Sequence, residues 1–584
     1  MRADRRAGRR AQRQAGTRTE QRRAAHRRRR GFRGRPLVTL LLSGFLLLGV
    51  CAAGMALDPF TAGAGRDTTV PGIGEPWSGA PGAPGASGSD SGSGSGGRAA
   101  PAPGKTRGGT GNGKGPAPAP DAGDTSDHRP AGALPFDMPE PAALRAAAGA
   151  GRKLVFAHYF TPYPLSLDNV RADKDYYTRN YLNPDGENGK HERYGGLVRD
   201  RPLPVKPKSG DWELANLRQE VRTARTAGLD GFTLDLLSLS GQNWDRANLL
   251  MEAARSTDPG FKIMLMPDMT SLKTDDPAVL ADAVAVLGTS PAAHRLGDGR
   301  LVVSPFKAEE KDPAWWGRFI DLLKSRHGIR TAFVPTFLDF GSHHERFAPI
   351  SHGFSEWGSR SYVGQEGAAR DVRRAHDLGK VWMQPVSVQD VRPNQGVFDE
   401  AGNTATLRTT WTRAIDDGAD WVQLTTWNDY SEGTQFAPSV HNGHAYLDLT
   451  SYYLTRFKTG SWPKIVRDTL YVTARTQFAA ADPTGDQSLV MSLRRGSAAA
   501  RDTVEVLSFL KAPATIRTRT GSATGAHEAP AGLHSTLLPL RTGTNAAAVV
   551  RGGKTGARAE LPRPVQRTVT VQDLQYHAVT SGRS

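Results

Sequence analysis

Two carboxylates three residues apart, Asp429 and Glu432, stand in the segment WVQLTTWNDYSEGTQF between Trp421 and Phe436. The aromatic residues Trp427 and Tyr430 flank them, and Gly433 follows, a residue that permits a tight turn. A pair of acids in an aromatic cleft suits cleavage of a glycosidic bond, in which one group gives a proton and another removes one. The same spacing occurs in solvated turns carrying two ordinary surface acids, so spacing alone leaves both readings open. Ahead of the pair, Val422 and Leu424 alternate with Gln423 and Thr425, as in a buried strand. The acids then lie just past a strand's C-terminal end.

The segments that would position this pair repeat in one order: strand, loop, helix. Leu154-Val155-Phe156 reads as a strand ending in His158 and Tyr159. Asp211 reads as a helix N-cap, with Leu214, Leu217, Val221 and Ala224 on one face and Gly228 as the stop. Further strands are expected at 231–235, 261–268, 301–303, 331–335, 353–357, 380–384 and 421–424, with helices at 247–256, 278–287 and 315–325. Eight strands alternating with helices predict an α/β fold, a (β/α)8 TIM-type barrel over 153–460. That fold puts chemistry at the C-terminal ends of its strands, where His158, Asp235, Asp268, Asp339 and Glu356 fall together with Asp429 and Glu432. His158 also suits a satisfied core histidine.

An irregular stretch up to Lys208 carries Tyr163, Tyr176, Tyr177, Tyr181 and Tyr194, suited either to stacking on sugar rings or to packing beneath a lid. His343-His344-Glu345 has ligand types for a metal, but adjacent histidines on a loop project divergently; no metal or other cofactor is expected. After Thr459-Gly460 the runs at 471–475, 503–507, 548–550 and 567–571 predict an all-β sandwich over 461–584.

The formal net charge of +17 invites a nucleic-acid partner, but its distribution excludes one. Residues 1–35 hold 15 Arg against Asp4 and Glu20, a balance of +13, which leaves only 17 − 13 = +4 for the remaining chain. The uncharged run 36–57 is 22 residues long, enough to cross a bilayer as a helix. It reads as a transmembrane signal-anchor behind a basic cytoplasmic tail, or as a cleaved export signal, with the remainder extracellular in either case. Residues 58–152, dominated by Gly, Pro, Ala and Ser, read as a disordered linker. Cys51 is the only cysteine, so no intrachain disulfide forms.

Trp427-Asn428-Asp429-Tyr430-Ser431-Glu432 resembles the W-N-D-Y-x-E signature of glycoside hydrolase family 71, the α-1,3-glucanases or mutanases. Lys153–Tyr159 and Gly228–Phe232 are further matches, and the resemblance runs from about Lys153 to the chain end, weakening after Tyr471. The segment is also similar to the W-N-E-W-x-E-G-T signature of the related family 99 endo-α-mannosidases; Gly433-Thr434 agree with it, while Asp429-Tyr430 replace its Glu-Trp pair. The resemblance implies an extracellular hydrolase of α-1,3-glucan acting with inversion. Glu432 would be the general acid, and Asp429 would act as the base or orient it. A turn spacing fits inverting and retaining separations alike, and Asp235 and Asp268 are alternative bases. His158, Tyr159, Asp235, Asp268, Trp427 and Tyr430 are expected around the sugar, with Trp427 and Tyr430 walling the cleft and raising the acid's pKa by desolvation. An endo-α-mannosidase-like activity and a non-catalytic, membrane-tethered polysaccharide-binding protein are the rival readings.

Overall fold

Side-chain alternation on the strands sorts this chain into an inner and an outer core. The computed structural model describes residues 134–149, 153–163, 168–272 and 274–583. The expected basic tail and the apolar run 36–57 lie outside the described residues; among those described, no helix is long and apolar enough to cross a membrane. One parallel sheet contains β1 (Leu154–Tyr159), β2 (Gly231–Leu236), β3 (Lys262–Pro267), β4 (Leu301–Val303), β5 (Thr331–Phe333), β6 (Thr336–Phe337), β7 (Gly353–Glu356) and β8 (Val381–Val386). A hairpin of β9 (Asp390–Arg392) and β10 (Val397–Asp399) follows, and β11 (Trp421–Leu424) returns to the parallel sheet.

The sheet order is β5-β4-β3-β2-β1-β11-β8-β7-β6, so its two edge strands are consecutive in the chain, separated only by Val334 and Pro335. The sheet therefore curls back onto one stretch of backbone, with helices intervening between strands as in TIM-like proteins. Pro335 has no N–H to give the ladder, which is why the expected fifth strand is observed in two pieces. Val334 and Thr336 on either side still donate to Val303 O at 2.9 Å and Pro305 O at 3.0 Å.

Inside the curl, Phe156, Met264, Val302, Ala332, Val334, Met383 and Trp421 form one cluster. Val155, Ala157, Tyr159, Phe232, Leu234, Val422 and Leu424 belong to the larger core against the helices. With a period of two, His158 continues the inward row of Phe156, and Asp235 opposes the outward Phe232 and Leu234. The fold thus presents these two polar residues to the interior at the C-terminal end of the sheet.

The Gly228-to-Phe232 segment has a steric role. Gly228 has φ +95°, and a Cβ there would lie 2.7 Å from both Leu454 Cδ2 and Met138 Cε and 3.2 Å from Leu144 Cδ1. Asp230 Oδ2 accepts from Val155 N at 2.7 Å and pairs with the buried Lys458 ammonium at 2.6 Å, joining β1 to the helix Ala445–Thr459. At Gly231 a Cβ would meet Lys262 O at 1.8 Å. The same packing corrects the expected linker boundary. Residues 134–149, assigned to the disordered linker by composition, include the helix Pro141–Ala147 and bury Phe136, Met138 and Leu144 in the main core. A few apolar anchors suffice to dock a segment whose average composition is that of a linker.

Beyond residue 460, β12 (Thr469–Ala474), β13 (Ser492–Leu493), β14 (Thr503–Leu510), β15 (Ala514–Thr520), β16 (Ala523–Ala529), β17 (Gly532–Pro539), β18 (Asn545–Arg551), β19 (Lys554–Glu560) and β20 (His577–Thr580) build an all-β unit. Two four-stranded sheets, β17-β14-β12-β20 and β16-β15-β18-β19, share a core of Leu470, Val472, Val504, Ile516, Ala547 and Val549. The run 567–571, expected as a strand, makes only the bridge of Val569 to Pro483, because no neighbouring strand extends the pairing. From the docking of the N-terminal segment, Leu144→Ala is expected to destabilise the chain by about 2–5 kcal/mol, the usual cost of emptying a fully buried leucine site, read from the midpoint of urea unfolding.

Candidate functional site

The loop that follows β11 is pinned at its base before it offers any chemistry. Trp427 N–H donates to His158 O at 2.7 Å. The Asn428 side chain accepts from Phe160 N–H at 2.8 Å and donates to Phe160 O at 2.9 Å, imitating a strand partner for the loop after β1. Thr426 Oγ1 accepts from Asp429 N–H at 2.8 Å and lies 2.9 Å from Thr434 Oγ1, closing the turn. Gly433 has φ +62°, and Gln575 of the β unit packs so closely that a Cβ would lie 2.7 Å from its amide nitrogen.

Within this turn the two acids have different surroundings. Asp429 Oδ1 accepts from Ser431 N–H at 3.0 Å, Ser431 Oγ–H at 2.8 Å and Glu432 N–H at 3.3 Å, so the carboxylate braces the turn. Glu432 Oε1 accepts from the Arg392 guanidinium at 2.6 Å, and Glu432 O accepts from Val391 N–H at 2.7 Å. Burial pushes the Glu432 carboxyl up to about 7; Arg392 opposes this, and the charge of Asp429 adds to it. Asp429 is also raised, again chiefly by burial.

Glu432 interacts across the interior with the strand-end residues expected from sequence. Asp235 is held well above the ordinary carboxylate range by burial, with Asp268 and Glu432 adding to the effect. Its Oδ2 lies 3.5 Å from His158 Nε2. Burial lowers His158 to about 4, so the imidazole is neutral; its Nδ1 lies 3.2 Å from Met266 Sδ. Asp268 accepts from Thr270 N–H at 2.7 Å, Thr270 Oγ–H at 2.6 Å, Ser271 N–H at 3.3 Å and Ser271 Oγ–H at 2.9 Å. His158, Asp235, Asp268 and Glu432 are thus four polar groups from four strand ends facing one space. Proton exchange between a neutral carboxyl and an ionised one is the chemistry this set supports.

Three of the expected sugar contacts are not at this space. Trp427 is 0 % exposed, packs on Phe232 at 5.1 Å, and donates its indole N–H to Glu220 on the helix Trp212–Thr226. Tyr430, 2 % exposed, clusters with Tyr163 and Tyr177. Tyr159 points outward against Phe232, as alternation from His158 requires. All three are packing residues, and the loop tyrosines Tyr163, Tyr177 and Tyr194 are buried likewise. A half-exposed aromatic beside His158 is Trp357, just after β7, whose ring meets His158 edge-on at 4.9 Å, contacts Phe306 at 4.7 Å and carries the Arg360 guanidinium at 4.8 Å. Asp339 caps the helix Phe340–Phe347, accepting from Ser342 N–H at 3.1 Å, and Glu356 approaches Phe340 N–H at 3.4 Å. His343 and His344 lie on that helix, and His344 Nδ1 sits 3.1 Å from Phe340 O.

Sequence reading missed Arg392, Arg360, Asp390 and Trp357. The signal available was Asp390-x-Arg392 in a polar loop directly after a strand. Among the described residues His441, Asp573 and His577 bring metal-ligand types within 4.8 Å of one another. Their bonds are already committed: His441 Nδ1 meets Gln575 Oε1 at 3.1 Å, its Nε2 faces the Arg563 guanidinium at 3.3 Å, and the two rings stack at 3.9 Å. A cation beside that guanidinium would be repelled, so this trio is a hydrogen-bonded fastening of the β unit to the loop after β11.

Residues 207–579, more than half of the chain, match the model of Glycosyl hydrolase family 71. The match starts after β1, leaving out the Lys153–Tyr159 motif, and extends through most of the β unit. The chain is 25% identical over 376 residues to an ascus wall endo-1,3-alpha-glucanase of Schizosaccharomyces pombe, covering 57% of this chain and 84% of that protein. It is 24% identical over 372 residues to a mutanase of Penicillium rubens, covering 59% and 80% respectively. Among solved structures, a GH99 endo-alpha-mannosidase from Bacteroides thetaiotaomicron superposes with a TM-score of 0.41 at 15% identity, over 52% of this chain and 97% of that one.

Burial raises the half-buried Glu220, the acceptor for Trp427, from 4.5 to about 7. The folded chain therefore binds this proton more tightly than the unfolded chain, and wild-type stability falls as pH rises from about 4.5 through about 7. Glu220→Gln keeps an acceptor for the indole and removes the titration. Denaturant melts should show the variant gaining on wild type above pH 7 relative to the difference at pH 4.

Proposed function

The chain belongs to glycosyl hydrolase family 71, and from that premise we propose that it hydrolyses α-1,3-glucan with Glu432 as the proton donor to the leaving oxygen. The observation that carries this reading is the Glu432 carboxyl itself, raised to about 7 and facing other carboxyl groups across the strand ends. An acid that keeps its proton near neutral pH is what departure of a sugar alkoxide requires. The names of the yeast and fungal relatives support the substrate. In this proposal the curled sheet forms a complete (β/α)8 barrel, with the reaction at its C-terminal face.

In this proposal the reaction inverts the anomeric centre. Asp429 is the companion acid of the signature: it braces the turn that carries Glu432, and its charge helps keep the proton on Glu432. As base for the attacking water we retain Asp429, with a second reading that uses Asp235 or Asp268. Of these two, Asp268, whose oxygens accept four hydrogen bonds, suits the base better than Asp235, which burial and the neighbouring acids keep protonated. Trp357 takes the sugar-facing part that the sequence alone puts on Trp427 and Tyr430, because its ring is half-exposed beside His158. The N-terminal run 36–57 would place the hydrolase outside the cell, tethered or released, with the linker giving it reach.

Assay of the purified full chain on α-1,3-glucan and on α-mannan, with the anomer of the first product read by proton NMR, tests the proposal. Release of β-configured product from α-1,3-glucan alone is expected; sugar release from α-mannan only would overturn the substrate. Glu432→Gln and Asp429→Asn should each lower hydrolysis by about 10²–10⁴-fold while folding normally. The base is whichever of Asp429→Asn, Asp235→Asn and Asp268→Asn loses activity and regains it with added azide as a nucleophile. Since the acid must be protonated, kcat/KM should fall as pH rises past about 7. Trp357→Ala should raise KM more than it lowers kcat, as expected for an aromatic face that binds the ring in ground and transition states alike.

A further inference from the structure

All three nitrogens of the Arg392 guanidinium are committed. Nε and Nη2 donate to the two oxygens of Asp390 at 2.7 Å each, a bidentate fork, and Nη1 donates to Glu432 Oε1 at 2.6 Å. Asp390 is fully buried and is approached by Arg360 at 3.7 Å and Arg494 at 3.6 Å, so the fork cannot swing without stranding a buried charge. The backbone repeats the constraint: Val391 N–H, beside Arg392, donates to Glu432 O.

The hairpin that carries Arg392 is held in turn by the β unit. β10 pairs with β13 in parallel, Val397 beside Ser492 and Phe398 beside Leu493. Arg494 extends the ladder by donating its N–H to Phe398 O at 2.9 Å, and its side chain donates to Asp399 at 2.8 Å. Val391, Phe398, Met491 and Leu574 close an apolar cluster beneath it.

We propose that Arg392, aimed by Asp390 and clamped through its hairpin by the β unit, is the positioning residue that orients the Glu432 carboxyl for proton donation. The inference rests on the proposed role of Glu432. An oxygen already accepting a guanidinium N–H is the less basic of the two, so the transferable proton sits on Oε2. With Oε1 fixed, Oε2 has one direction in which to present that proton to a leaving oxygen. A lysine offers a point charge and no fork, and so cannot hold Asp390 and Glu432 in one plane.

The charged and titratable groups facing Glu432 are Arg392 and Asp390 from the hairpin, Arg360 after β7, Asp429 from its own turn, Asp235 from β2 and His158 from β1. Removing the Arg392 charge leaves an acid-rich set, so Glu432 keeps its proton to higher pH. In the full chain, Arg392→Gln should lower kcat on α-1,3-glucan at least about 10-fold with little change in KM, and should move the basic limb of the pH profile upward. Arg392→Lys should restore the position of that limb but not kcat, since charge returns without the fork. Folded Arg392→Gln protein with wild-type kcat and an unmoved limb overturns the inference. Should that variant fail to fold, Arg494→Gln, changed at a half-exposed side chain of the β unit, takes its place. A several-fold drop in kcat at constant KM and an unchanged melting temperature supports the clamp, and unchanged kcat overturns it. An active Glu432→Gln variant would instead remove the reading of Glu432, whereas inactive Glu432→Gln beside fully active Arg392→Gln removes the role of Arg392 alone.

Discussion

Carboxyl groups gathered at the end of a sheet repel one another and lose their hydration, and the architecture around β11 is organised to bear that cost. Glu432, Asp429, Asp235 and Asp390 are all buried or nearly so, and burial is the largest influence on each of them. Two of the compensations are cationic. Arg392 and Arg360 enter from the loops after β8 and β7, and Asp390 is thereby held below its ordinary range despite burial. A third is neutralisation: Asp235 and Glu432 rise until a proton is the cheaper way to stay buried. The proposed chemistry follows from that last outcome, because a carboxyl forced to keep its proton is an acid ready to give it.

The two folded parts are interdependent at this point. The β unit supplies β13 and Arg494 to the Arg392 hairpin, and Gln575 to the turn at Gly433. Tyr576 adds its backbone N–H to Gln389 Oε1 at 2.9 Å, just before the hairpin. The all-β part, poor in exposed aromatics for sugar stacking, thus bears directly on the loop that carries Glu432. The match to the family across both parts agrees with such a joint unit.

Much of the fold was legible because it rests on short-range rules. The strand positions followed from apolar runs, and the helix at Trp212 from the Asp211 cap, which is seen accepting from Leu214 N–H at 3.4 Å. The departures have physical causes. Pro335 splits a strand by lacking a donor, and residues 134–149 dock through three side chains that composition averages away. Val569 fails to extend into a strand for want of a neighbour.

By itself the sequence determined which residues would reach the C-terminal ends of the strands: His158, Asp235, Asp268 and the Asp429–Glu432 turn, since period-two alternation and strand direction are local properties. It also carried the family signature and the glycine that follows it; Asn428 is fixed by the bonds it makes and Gly433 by the close approach of Gln575. Which aromatics face solvent was decided only by tertiary structure: Trp427 and Tyr430 adjoin the acids in sequence yet pack into the core, while Trp357, seventy residues before Trp427, stands half-exposed against His158. The same holds for the partner of Glu432. Nothing local couples Arg392 to a residue forty positions away; the contact exists because β8 and β11 are neighbours in the sheet and their loops leave from the same end. Electrostatics acts through space, and spatial adjacency in a parallel sheet is set by strand order, which no short stretch of sequence contains.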